Sequence, residues 1–158
     1  MRRFSVLLGV CALLVGAAAS ANDDWRKSAP MDKKVDNLVQ VMPGAANLMI
    51  EMGFRYQNLY WAAKQGKWEF AQYQAEEMEA LLKTLMITRP KRAKTAEVFL
   101  KTGFAALEPV LKARDLPRFE AGFEKMRQAC MTCHQQNEHA FVTLPLPKRA
   151  YSPVLNMD

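Results

Sequence analysis

Glycine and histidine are scarce in this chain, and cysteine is nearly absent: 158 residues hold seven Gly, two His and three Cys. Glycine-rich phosphate loops, internal repeats and low-complexity runs are all missing, which removes nucleotide-cradle, solenoid and linker readings. No apolar run reaches the roughly 20 residues that a bilayer span needs. Basic residues exceed acidic ones by 22 to 16, but they are scattered among acids without an aromatic-basic stripe. Nucleic-acid binding is therefore a poor reading. No catalytic constellation is visible either, so the chain does not read as an enzyme.

What is present begins at the first residues. Arg2-Arg3 is a short basic region, Phe4 to Val15 is apolar, and Ala19-Ser20-Ala21 has the small-x-small form of a cleavage site. Residues 1–21 are expected to be a secretory signal peptide, cut after Ala21, that delivers the chain to the periplasm. Leu8-Gly9-Val10-Cys11 is not read as a lipidation box, because Val10 is too large for the position before the cysteine. Cleavage removes Arg2, Arg3 and Cys11 and leaves 20 basic against 16 acidic residues. Only Cys130 and Cys133 then remain, so no disulfide framework supports the fold. The mature part, residues 22–158, suits one domain with one core.

Those two cysteines lie in Cys130-Met131-Thr132-Cys133-His134. On a helix, cysteines three residues apart project to one side, where both sulfurs can meet the two vinyl groups on one edge of a haem. The next residue is turned by about 100°, which brings the His134 imidazole over the ring centre as proximal iron ligand. A thioredoxin-like redox pair needs a βαβ context, and no strand pattern surrounds the motif. Structural zinc needs four ligands. Cys130, Cys133, His134 and His139 crowd one short helix, a poor tetrahedral set. One covalent haem c, held by Cys130 and Cys133 with His134 on the iron, is the expectation.

The remainder reads as helices. Ala45, Met49, Met52, Tyr56, Leu59 and Ala63 recur in steps of three and four between Pro43-Gly44 and Gly66, after a lead-in around Val35 to Met42. A second helix is expected over Trp68 to Ile87, with Ala71, Met78, Leu81, Leu82 and Leu85 inward and Pro90 as its stop. A third spans Ala96 to Ala113 through Val98, Leu100, Phe104, Leu107 and Leu111. The fourth starts after the N-cap Asp115 and aligns Phe119, Phe123, Met126, Cys130 and Cys133 on one seam. The expected fold is all-α: an antiparallel four-helix bundle with covalent haem on the C-terminal helix. From about residue 142, Pro145, Pro147 and Pro153 forbid helix and leave an extended tail.

An exported four-helix chain with one C-x-x-C-H near its C-terminus resembles the class II c-type cytochromes, the cytochrome c-prime group. Met42-Pro43-Gly44, Tyr60-Trp61-Ala62-Ala63 and Gly66-Lys67-Trp68 also resemble a subgroup of exported haem proteins with this layout. The chain departs from many members in the long tail that follows Gln135 to His139. In low-spin relatives a first-helix methionine is the sixth iron ligand, whereas in cytochrome c-prime itself an apolar residue leaves that position open.

His134 lies about eighteen residues beyond Leu116, and the same rise counted back from Gln65 reaches position 47. Met49 is the nearest methionine and the preferred distal ligand, with Met52 one turn along as the alternative. His139 is read as too close to His134 to reach the opposite haem face, and Arg55 and Arg127 as partners for propionates or as exposed residues. Two functions follow. In the first the chain carries single electrons between redox partner proteins. In the second a five-coordinate iron binds or senses NO or CO. An exposed helix face permits a homodimer.

Overall fold

The computed structural model describes residues 24–150. The segment expected to be a signal peptide, with its expected cleavage site at Ala21, falls outside these residues, as do Pro153 and the end of the tail. The described chain is all-helical, with no strand, and no helix among these residues is long and apolar enough to cross a membrane. The chain divides into two compact units, Met1–Val41 and Met42–Asp158.

In the first unit, the single-turn α1 (Trp25–Ser28) is capped by the Asp24 side chain, which accepts from Arg26 N–H. After it comes α2 (Met31–Val41). Val35, Leu38 and Val39 share a face of α2 at helical spacing, yet all three are exposed, and α2 buries no residue.

The second unit holds the core. Its first helix, α3 (Ala45–Lys64), follows Pro43-Gly44 and stops where Gly66 takes φ 71°. There Lys67 N–H reaches Ala62 O and Gly66 N–H reaches Ala63 O. This paired capping of the last carbonyls needs a left-handed residue, which glycine adopts without a Cβ penalty. The short turn sends α4 (Trp68–Thr88) back along α3. Arg89-Pro90 then ends α4, because a residue before proline avoids helical ψ. The last helix, α7 (Leu116–Gln136), opens on Asp115, whose carboxylate accepts from Arg118 N–H at 3.0 Å.

Between α4 and α7 the expected single helix is broken. The structure has a 3-10 turn over Pro90–Arg92, α5 (Ala93–Phe99), a π turn over Leu100–Phe104 and α6 (Glu108–Ala113). Pro109 has no N–H for the Ala105 carbonyl, so α6 restarts with it in the first turn. The π turn adds a residue and so shifts the inward face by one position. Counting back from the buried Phe104, that face falls on Phe99 and Ala96, which are buried, while Val98 is 49% exposed. A Cβ on Gly103 would come within 2.9 Å of the Phe99 ring, so the ring's seat depends on that glycine.

Side-chain pairs fix α3 antiparallel to α7. Lys64 meets Glu120 at one end, and Tyr56 stacks on Phe123 at 4.7 Å between centroids further along. Tyr60 and Phe119 close on Phe123 at 5.0 and 5.6 Å, and Trp68 from α4 meets Phe119 edge-on at 6.1 Å. Leu59, Met78, Leu107, Phe119, Phe123 and Met126 are fully enclosed. Burying a residue of this size contributes roughly 1.5–3 kcal/mol, so this end of the unit is its stability centre.

Candidate functional site

Toward the other end of α3 and α7 the packing opens into a cavity of about 390 Å³, within the range of small-molecule sites. Met49, Met52, Gly53 and Tyr56 line it from α3, and Met78, Leu82 and Leu85 line it from α4. Phe99 closes it from α5, and Cys130, Cys133 and His134 from α7. The antiparallel register brings both candidate methionines to the cavity that holds the C-x-x-C-H residues. Met52 is buried and Met49 half-buried.

Cys130 continues the buried seam of α7 through Phe119, Phe123 and Met126, and Cys133 lies one turn further, half-buried. Burial pushes the Cys130 thiol up to about 12 and the Cys133 thiol upward as well. Reactive dithiols are tuned the other way, which counts against a thiol-disulfide redox pair. Among the described residues no group of three or more His, Cys, Asp or Glu converges as a metal cage.

His134 is held by the tail. Its Nδ1 lies 2.9 Å from the carbonyl oxygen of Val142. A carbonyl only accepts, so a neutral His134 carries its proton on Nδ1 and keeps the Nε2 lone pair for another partner. Such a bond fixes the tautomer and orientation of a metal-binding imidazole and raises its basicity.

The helix ends at Gln136, with Asn137 as cap and Glu138 at φ 66°. His139 is consequently not on the same helix as His134, contrary to the sequence reading. It lies past the turn, stacks on Phe141, brings Nδ1 to Asn137 O and lines the cavity. Arg55 and Arg127 are engaged away from the cavity lining. Arg55 binds Glu51 at 2.8 Å, reaches Glu77 at 3.4 Å and lies over the Tyr73 ring. Arg127 forks onto Glu124, and its Nη1 donates to Leu144 O at 2.7 Å.

Sequence reasoning missed Gly53, Arg92, Thr95 and Asn137. Asn137 Nδ2 donates to Cys133 O and to Thr95 Oγ1, both at 2.8 Å, tying α7 to α5 beside the second cysteine. Its place four residues after Cys133 was a readable signal; Thr95 and Arg92 gave none, since chain folding alone brings them there. Gly53 sits mid-helix on the cavity wall, and a Cβ built on it meets nothing within 4 Å. That bare stretch of wall, the apolar lining, two thiols on one helix face and an imidazole with its Nε2 uncommitted fit a flat, apolar, iron-bearing ring.

The chain matches no protein-family model, no curated protein and no solved structure.

Proposed function

We propose that this chain is an exported, periplasmic monohaem c-type cytochrome of the class II kind that transfers single electrons between redox partner proteins. In this reading α3, α4, the broken α5–α6 element and α7 are the four helices of a bundle, and the leader ending at Ala21 is its export signal. The observation that carries the proposal is the state of His134: its Nδ1 is taken by Val142 O, and its ring lines the cavity shared with Cys130 and Cys133.

Cys130 and Cys133 would hold the haem through thioethers, and His134 Nε2 would bind its iron. When bound, the haem supplies a one-electron iron couple. Met49 and Met52 offer thioether sulfurs from the facing helix, and a sulfur ligand favours the reduced state. Leu82, Leu85 and Phe99 give the cavity an apolar lining, which would limit water beside the iron.

The test is co-expression with a c-type maturation system, followed by intact mass and absorption spectra of oxidised and reduced protein with and without carbon monoxide. A covalent haem mass, a low-spin spectrum with a methionine-to-iron charge-transfer band and no response to carbon monoxide are expected. Met49→Ala should convert that spectrum to high spin; conversion only in Met52→Ala would move the sixth ligand one turn along. A wild-type spectrum that is high-spin and shifts with gas would overturn electron transfer in favour of NO or CO binding. A chain recovered without added mass would overturn the haem reading.

A further inference from the structure

Past the turn that closes α7, the chain runs extended across the cavity edge without regular hydrogen bonds of its own. Three of its carbonyls in four residues are each taken by a different side chain. Val142 O faces His134 Nδ1 at 2.9 Å, Leu144 O accepts from Arg127 at 2.7 Å, and Pro145 O accepts from the Tyr56 hydroxyl at 3.0 Å. Two of the donors come from α7 and one from α3. Pro145 and Pro147 lack N–H groups and hold the preceding residues extended, so the segment offers carbonyls to the helices and little else. Val142 N–H closes a local turn onto His139 O at 2.8 Å. The segment is thereby anchored before Val142 by its own backbone and after it by Arg127 and Tyr56.

Both donors are themselves fixed. Glu124 grips Arg127 through two bonds, 2.7 Å to Nε and 2.6 Å to Nη2, which leaves Nη1 aimed at the tail. The Tyr56 ring is stacked on Phe123 and buried, and its hydroxyl points out of that stack to Pro145. We propose that Arg127 and Tyr56 are positioning residues for His134: they pin residues 144–145, which sets the Val142 carbonyl that orients the imidazole and strengthens it as a donor. The inference rests on the haem reading for its electronic consequence, and on the three bonds alone for its geometry.

The experiment compares wild type, Arg127→Met, Arg127→Lys and Tyr56→Phe as full-length, haem-loaded chains. One readout is reduction potential, and the other is the rate of tryptic cleavage after the exposed Lys148 and Arg149. A hydrogen bond to Nδ1 raises ligand basicity and favours ferric iron. Its loss in Arg127→Met should shift the equilibrium toward ferrous by up to about tenfold, equivalent to about 59 mV for one electron, with faster cleavage. Tyr56→Phe should move both readouts the same way by less, and Arg127→Lys, which keeps a donor, should restore most of both. Faster cleavage at an unchanged potential overturns the proposal, because the tail would then be pinned without acting on His134. No change in either readout overturns it as well.

If the wild-type chain carries no haem, the haem reading fails, and the positioning claim is decided on the haem-free chain by ¹⁵N NMR of His134. Wild type should hold the Nδ1–H tautomer and Arg127→Met should lose it. The same tautomer mixture in both chains overturns the claim.

Discussion

At the Gln65 end of the α3–α7 pair, Tyr56, Tyr60, Phe119 and Phe123 fill the space between the helices. At the Ala45 end, the same two helices present Met49, Met52, Gly53, Cys130 and Cys133 around about 390 Å³ of open volume. Aromatic rings gain their stabilisation from area buried on both faces, and each stacked or edge-on pair adds roughly 0.5–1.5 kcal/mol. Thiols, thioethers and a bare glycine leave room and can re-pack around whatever enters. One helix pair thus separates two tasks along its length. The aromatic end holds the helices in register, and that register is what brings residues of α3 opposite the C-x-x-C-H turn of α7.

The sharpest way to break this comparison is to remove a sulfur from the hollow end. Cys133→Ala should abolish most covalent haem, read as loss of the added mass in the intact protein. It should cost the haem-free fold little, because Cys133 is only half-buried and borders open volume. Normal covalent yield from this variant would sink the attachment scheme.

The converse experiment acts on the filled end. Phe123 is fully buried and touches three other aromatic rings, so Phe123→Ala should lower unfolding free energy by about 3–5 kcal/mol in urea titrations. Haem should still attach under conditions where the variant is folded. A loss below about 1 kcal/mol, far under the range for a packed phenylalanine, would mean that the aromatic cluster is not the stability centre.

Gly53 distinguishes the two ends more finely. An interior helical glycine costs about 0.8–1.0 kcal/mol relative to alanine, and open space beside Gly53 lets a methyl group in without a clash. Gly53→Ala should therefore stabilise the haem-free chain by up to about 1 kcal/mol. In the loaded protein the gain should shrink or reverse, because the methyl group and the ring would compete for one stretch of wall. An equal gain in both forms would show that the ring does not lie against Gly53.

These contrasts also explain which features were legible in the sequence. The three- and four-residue spacing of Met52, Tyr56, Leu59 and Ala63, and the seam Phe119, Phe123, Met126, Cys130, predicted buried faces because apolar side chains must leave water together. Asp115 and Gly66 marked helix ends through local chemistry, a cap and a left-handed turn. The third helix was misread because a π turn changes the period without changing composition, so Val98 was expected inside in place of Phe99. Of the site, the C-x-x-C-H spacing and the level of Met49 on α3 were readable. Thr95, Arg92 and the tail carbonyls were not, since a backbone oxygen has no sequence signature and its donors, Arg127 and Tyr56, are distant in sequence from the segment they hold.

The smallest expected effect lies at the boundary between the two ends, where Glu124 follows Phe123 and grips Arg127. Hydrogen bonds from Arg127 and then from Gln128 hold the Glu124 carboxyl well below its usual 4.5, at about 2. Because the folded value lies below the unfolded one, folding favours the ionised form. The contribution is fully present above about pH 4.5 and is lost as pH falls toward about 2. Glu124 is 42% exposed, so solvent and salt screen the pair and the effect is modest. Glu124→Gln should be less stable than wild type at pH 6, and the gap should narrow as pH falls below about 4.5, close only toward about pH 2, and shrink in high salt, measured by urea unfolding. A gap that is constant with pH would mean that shape rather than charge holds the Glu124–Arg127 fork. A gap that closes in acid, together with faster tryptic cleavage after Arg149 in Glu124→Gln than in wild type at pH 6, would join the pair to the tail and tie the filled end of α7 to the hollow one.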